Sequence, residues 1–288
     1  MAIAIAGTDL WAERRRRVME LRVRQGFARQ ILDFYRALLG VQEKAFVEAA
    51  SGAPPIDAIT SYVAEFVFPS VVDVAVAVGP DRLRSEVIQR AQTRDAREIV
   101  DEWVKGREQA AVDRFLARAS LGPVLEALGS EAKRECIGPR DARHCPECGG
   151  PPQLSFFARS TDDLASGPRC LMCARCATTW GYARMTCPAC GEDSSSRLNI
   201  FGELGTTSGE RGSVVRGLPG GPVANSYRAV FPHMRIEACD TCRSYLLSVD
   251  LAADPAAVPV VDEISAIPLD LYARERGYAK VTTNLMGF

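Results

Sequence analysis

The chain has 288 residues, 47% hydrophobic and 25% charged, with a formal net charge of −1. That length predicts two domains, or one domain with appended modules, and the balanced charge lacks the basic excess that a nucleic-acid-binding surface requires. The apolar start, Met1–Thr8, carries no basic leader and is too short for a signal peptide, and no stretch approaches the ~20 apolar residues of a membrane span. A cytoplasmic chain without membrane insertion is therefore expected.

Residues 1–135 contain no cysteine and read as helices. From Thr8 to about Ala50 the apolar positions Leu10, Val18, Leu21, Phe27, Ile31, Phe34, Leu38, Val41 and Ala45 recur mostly at steps of three or four, and Gly26 is a point at which the segment can split. Ile56 to Phe68 predicts a further helix stopped near Pro69, and Pro80-Asp81 opens another through Ala91. Thr93 is a candidate N-cap for a helix to Lys105, and Gly122-Pro123 precedes a short helix ending near Gly129. Beyond Cys145 the long periodic segments give way to short runs. Gln153–Ala158, Thr178–Arg184, Arg197–Phe201 and Tyr245–Leu251 are strand candidates. Gly202 to Gly221 carries seven glycines and reads as a long loop, and Asp262 to Arg276 predicts a closing helix. The expected class is α+β: a helical bundle over 1–140, two tandem ribbons over 141–183 and 184–261, and a C-terminal helix and tail over 262–288.

The chemistry is concentrated in four Cys-x-x-Cys pairs, Cys145/Cys148, Cys173/Cys176, Cys187/Cys190 and Cys239/Cys242. A two-residue gap lets both sulfurs of a pair reach one ion while the amides of the same turn point at them. The first and third pairs lie within Cys-Pro-x-Cys-Gly, the knuckle turn of rubredoxins and zinc ribbons, whose glycine permits a positive φ. Eight thiols supply two tetrahedral metal sites of four cysteines each, and paired cysteines in a reducing compartment point to metal rather than to disulfides. Each module begins with Cys-Pro-x-Cys-Gly and closes with a plain pair and a nearby aromatic, Trp180 or Tyr245. This weak repeat favours joining the first pair to the second and the third to the fourth, and leaves crossed pairing open. Tetrahedral ligation by four sulfurs suits iron and zinc alike.

The remaining candidates read more plainly. His144 and His233, the only histidines, are expected at the surface or behind a ligand, and Cys136 and Cys170 as free thiols. Arg14–Arg17 form a basic run whose members point to all sides of a helix, so most are expected in solvent. No triad, paired-carboxylate, phosphate-loop or dinucleotide pattern is visible, so no catalytic residue and no organic cofactor is assigned.

The segments Cys-Pro-Glu-Cys-Gly-Gly-Pro-Pro (145–152), Cys-Ala-Arg-Cys-Ala-Thr-Thr-Trp (173–180), Arg-Met-Thr-Cys-Pro-Ala-Cys-Gly (184–191) and Cys-Asp-Thr-Cys-Arg-Ser-Tyr-Leu (239–246) together resemble the FdhE family of formate dehydrogenase accessory proteins. So do the ten residues from Leu269 and the closing Asn284-Leu-Met-Gly-Phe. The resemblance implies a cytoplasmic, non-enzymatic maturation factor that binds the catalytic subunit of formate dehydrogenase, with iron in rubredoxin-like sites held by the eight paired cysteines. Two features depart from the pattern: the long Cys190–Cys239 interval and the extra thiol of Cys170. The competing readings are a zinc-ribbon nucleic-acid-binding module, which the neutral charge disfavours, and a rubredoxin-like electron carrier or thiol oxidoreductase.

Overall fold

The computed structural model describes residues 7–52, 54, 58–159, 167–203, 216–217 and 229–288. Most of the glycine-rich loop read from the sequence lies outside the described residues.

The amphipathic N-terminal segment forms α1 (Gly7–Arg24) and α2 (Arg29–Ser51), joined by a 3₁₀ turn at Gly26–Ala28. Gly26 thus splits the periodic run as expected. The next helix differs from expectation. It runs from Ile59 to Val78 without stopping at Pro69: α3 (Ile59–Tyr62) passes through a π turn (Val63–Val67) into α4 (Phe68–Val78). Pro69 lies in the first turn of α4, where its missing N–H costs little because the widened π turn has already broken the regular ladder. This corrects the expectation that no stretch is long and apolar enough to cross a membrane, since the 20-residue helix meets that test by length and composition. One stripe of it, Val63, Val67, Val71 and Ala75, is nevertheless buried within the bundle.

α5 (Asp81–Thr93) ends on Thr93, so Thr93 caps nothing. The cap of α6 (Ala96–Val104) is Asp95, whose carboxylate accepts from the amides of Arg97 and Glu98. α7 (Ala111–Ala127) runs straight through Gly122-Pro123, where a new helix was expected to begin. It is the central helix: Leu116, Ala117, Ala119, Leu121 and Val124 are fully buried, and it packs against α2, α4, α5 and α6. Burial on all sides holds the helix across a residue pair that would break an exposed one. α8 (Ser130–Arg134) leads towards the first cysteines.

Among the described residues, the second half is a single sheet of eight strands. In chain order they are β1 (Pro152–Phe157), β2 (Arg169–Cys173), β3 (Thr179–Gly181), β4 (Leu198–Gly202), β5 (Arg216–Gly217), β6 (Met234–Cys239), β7 (Ser244–Asp250) and β8 (Ala279–Lys280). The spatial order is β3-β2-β1-β7-β6-β4-β5, with β8 on β7. Each cysteine module contributes an antiparallel meander, and the two meanders are joined by a parallel pairing of β1 with β7, Ser155 opposite Ser248. The closing helix of the sequence reading is two short helices, α9 (Pro259–Ser265) and α10 (Ile267–Glu275). α9 contacts α1, α2, β1 and β7, and so lies between the bundle and the sheet.

Polar side chains are buried where the two halves meet. Arg17, expected in solvent, has only 1% of its side chain exposed and pairs with Asp262 and Asp254. Arg14 pairs with Glu126 and lies over Trp11. Two of the four basic-run residues are thus buried in structural ion pairs, while Arg15 pairs with Glu43 at the surface. Deeper still, the Lys280 ammonium lies 2.8 Å from Glu263 and 3.0 Å from Asp270, with all three side chains excluded from water. The Tyr245 hydroxyl donates to Asp270, and the Gln153 amide donates to Glu263.

Candidate metal centres

The sequence places each Cys pair at a turn, and the structure shows what each turn does. In the first knuckle the Gly149 amide donates to the Cys145 carbonyl and the Cys145 amide to the Gly150 carbonyl, each at 2.9 Å. The third pair repeats this arrangement: Gly191 donates to Cys187, and Cys187 to Glu192. The residue after the second cysteine has a positive φ in all four pairs: 67° at Gly149, 55° at Ala177, 85° at Gly191 and 55° at Arg243. Glycine meets this need without strain, whereas Ala177 and Arg243 adopt the left-handed region at a cost of roughly 1–2 kcal/mol. The plain pairs therefore build the same turn as the Cys-Pro-x-Cys-Gly pairs.

These turns gather the eight cysteines into two groups. Cys145, Cys148, Cys173 and Cys176 form one; Cys187, Cys190, Cys239 and Cys242 form the other. Pairing follows chain order, first with second and third with fourth. Within each group the four sulfurs lie inside 4.8 Å of one another. The closest cross-pair separations are 3.6 Å (Cys145–Cys176) and 3.4 Å (Cys148–Cys173) in the first group, and 3.7 Å (Cys187–Cys242) and 3.8 Å (Cys190–Cys239) in the second. All are far too long for a disulfide bond of about 2.05 Å. They match the edge of a tetrahedron of sulfurs around an ion at about 2.3 Å, which is about 3.8 Å. The donor set and its geometry therefore fit one tetrahedral ion per group.

The first centre is enclosed. None of its four cysteines has more than 3% of its surface exposed, and they belong to the same apolar cluster as α2, α4 and α7. Burial pushes the Cys173 thiol well above the ordinary thiol range, so a cation is required to hold it as a thiolate. The Arg175 amide donates to the Cys173 sulfur at 3.3 Å, and the Arg175 guanidinium ties the carbonyls of Ile137 and Cys148 together. Gly138 and Gly149 approach so closely that a Cβ on either would fall within 2.6 Å of the other's backbone. A Cβ on Gly150 would lie 2.9 Å from the Cys173 sulfur. Backbone at Gly150 is thus pressed against the sulfurs of Cys173 and Cys148.

The second centre is at the surface: Cys190 is exposed and Cys242 half-exposed, while Cys187 and Cys239 are buried. The knuckle amides of Ala189 and Cys190 point at the Cys187 sulfur, whose thiol burial raises to about 12. The Glu192 carboxylate accepts from Thr241 and so links the two knuckles.

The other residues singled out from the sequence take structural positions. His144 lies outside both sulfur groups, its Nδ1 2.7 Å from Asp141, and this contact holds the Asp141 carboxyl down to about 2. His233 is not at the surface: it is buried, with Nε2 2.8 Å from Asp262. His233, Asp254 and Asp262 are close enough to suggest a third metal group, but the Arg17 guanidinium already bonds both carboxylates and takes the place of a cation. Cys136 is buried, with its thiol pushed up to about 11, and Cys170 is half-buried on β2. Neither joins a sulfur group.

Comparison with known proteins converges on one family. The FdhE C-terminal domain matches residues 224–286, the stretch that carries the last Cys pair and the closing helices. An FdhE homologue of Aquifex aeolicus is 29% identical over 207 residues, covering 71% of this chain and 62% of that protein. An FdhE homologue of Pseudomonas aeruginosa is 28% identical over 142 residues, covering 49% and 38%. The crystal structure of the FdhE protein from Pseudomonas aeruginosa superposes with a TM-score of 0.59 at 21% identity, over 96% of this chain and 95% of that one. The chain is similar to FdhE proteins in sequence over its cysteine-bearing part and shares the fold of the FdhE crystal structure. The superposition extends the common fold over the helical half. The aligned regions span 62% or less of the length of these sequence relatives.

Proposed function

We propose that the chain is a cytoplasmic, non-enzymatic accessory factor for the maturation of formate dehydrogenase, and that it acts by binding that enzyme's catalytic subunit. The observation that carries this reading is the pair of four-cysteine groups built into one sheet in a chain similar to FdhE proteins. In it, Cys145, Cys148, Cys173 and Cys176 hold one ion, and Cys187, Cys190, Cys239 and Cys242 the other. Iron is the favoured metal, by family resemblance, and it would supply a one-electron couple as well as a structural link. Each ion fixes two knuckles relative to each other and so fixes the surface around them. Site geometry supports a holding role: the ligands of each group are all protein sulfurs, and four already complete a tetrahedron.

The test is a deletion strain carrying no second copy. Formate dehydrogenase subunits are expected at normal abundance with activity strongly reduced, restored by the parent gene and not by a Cys187→Ser/Cys190→Ser variant. Affinity purification of the tagged parent protein is expected to retain the catalytic subunit. Full enzyme activity in the deletion strain would overturn the proposal.

A further inference from the structure

A cleft of about 570 Å³ lies between α2, α5, α7 and the closing segment Thr283–Phe288, and none of the eight paired cysteines lines it. Its walls include Ile31, Phe34, Leu83, Phe115 and Met286, which suit an apolar body. Two of its buried polar side chains hold unmet donors. Arg118 is buried; its two terminal nitrogens donate to the Thr283 carbonyl at 2.6 Å and to Gln153, leaving Nε without a partner. Asn284 is 1% exposed, and its Oδ1 accepts from the amides of Met286 and Phe288. That double acceptance fixes the orientation of the amide group and leaves Nδ2 as an unmet buried donor. Arg114, one turn before Arg118 on the same face of α7, is half-buried and forms no ion pair with a described residue. The one acidic side chain on the wall, Glu86, is engaged by Arg82, and the main-chain oxygen of Phe288, also on the wall, accepts from the Asn284 amide at 2.6 Å.

Unmet donors are costly in a buried site, and here each is an N–H without an acceptor. Burial also pulls the Arg118 guanidinium down to about 10, as expected of a cation short of counter-charge. We infer that this cleft binds a small carboxylate with an apolar body, the carboxylate meeting Arg114, Arg118 Nε and Asn284 Nδ2 and the body lying against Phe34, Leu83 and Phe115. A cleft of this volume is in the range that holds small ligands.

The experiment is calorimetric titration of the metal-loaded full chain with 2-naphthoate. The uncharged isostere 2-naphthamide, inorganic phosphate, and the variants Arg114→Gln and Leu83→Trp serve as comparisons. Naphthoate is expected to bind saturably. Naphthamide and Arg114→Gln should each weaken binding by about tenfold or more, the effect of one lost charge-assisted hydrogen bond. Leu83→Trp, which fills the cleft from its rim, should abolish it. Both variants are required to keep the parent melting temperature and metal content; a second rim variant, Leu83→Phe, replaces any that does not. Saturable naphthoate binding without competition by millimolar phosphate supports a carboxylate site, and competition by phosphate at equal strength overturns the apolar-body part of the assignment. Equal affinity for naphthoate and naphthamide, unchanged affinity in Arg114→Gln, or no heat with naphthoate at millimolar concentration overturns the proposal.

Discussion

Replacing Lys280 with methionine tests the junction between the two halves. Methionine keeps the length of the side chain and removes the ammonium, leaving Glu263 and Asp270 as two fully buried carboxylates without a cation between them. Breaking a buried pair from one side costs about 3–5 kcal/mol, because the partner's charge stays desolvated. For a chain of this size each kcal/mol moves the melting temperature by about 2–4 °C, so a fall of roughly 6–20 °C is expected. The loss must depend on pH. Burial already raises the Glu263 carboxyl above its ordinary value of 4.5, and Lys280 is the main influence opposing that rise. Without Lys280 the folded-state value rises further. A raised acid favours the folded state below its unfolded value and costs stability as pH climbs from there through the folded value. The deficit of the variant should therefore be small near pH 5 and grow towards pH 8. Circular dichroism melts of metal-loaded parent and variant, run side by side at each pH, measure it. Adding Glu263→Gln should recover part of the loss at the higher pH. A single variant that melts with the parent, or a deficit that is flat with pH, would refute the argument that this lysine neutralises buried acids.

Two further outcomes follow from the sulfur sites. Gly149→Ala adds a Cβ into the Gly138 backbone at a positive φ, whereas Gly191→Ala meets only the φ penalty, with no atom within 4 Å. Elemental analysis should show the first variant missing one metal of two and the second, destabilised by about 1–2 kcal/mol, retaining both; equal retention would contradict the close approach. A chelator followed by cysteine alkylation and mass spectrometry should strip the centre containing exposed Cys190 first and label Cys187, Cys190, Cys239 and Cys242 before the enclosed group. Simultaneous labelling of all eight would contradict the difference in burial.

The cysteine pairs were legible because their chemistry is local: spacing, proline and glycine state the turn outright. The grouping in chain order was also visible, as a repeat. The strands entering the second and fourth pairs, β2 and β6, were missed because Arg169 and Arg235 interrupt the apolar pattern. One arginine is buried against Glu237, and the other points outward. Pro69 and Pro123 read as helix boundaries, and both are carried inside helices, one by a π turn and one by complete burial. The buried partners of Arg17 and Lys280 were invisible for a different reason. Arg17 and Asp262 are 245 residues apart, and a charge in a sequence looks the same whether water or a carboxylate surrounds it.

The parallel pairing of β1 with β7 has a consequence for how this chain is made. β1 is complete once residue 157 has been added, but the strand that flanks it on one side ends only at Asp250. During synthesis the first meander, complete at Gly181, therefore emerges with an unpaired edge, and it keeps that edge while about seventy residues, including the whole glycine-rich interval, are still being joined (from 181 to 250). Metal captured early by the first four cysteines would hold this nascent ribbon in register until its neighbour arrives. The order in which ions are acquired then becomes part of the folding route.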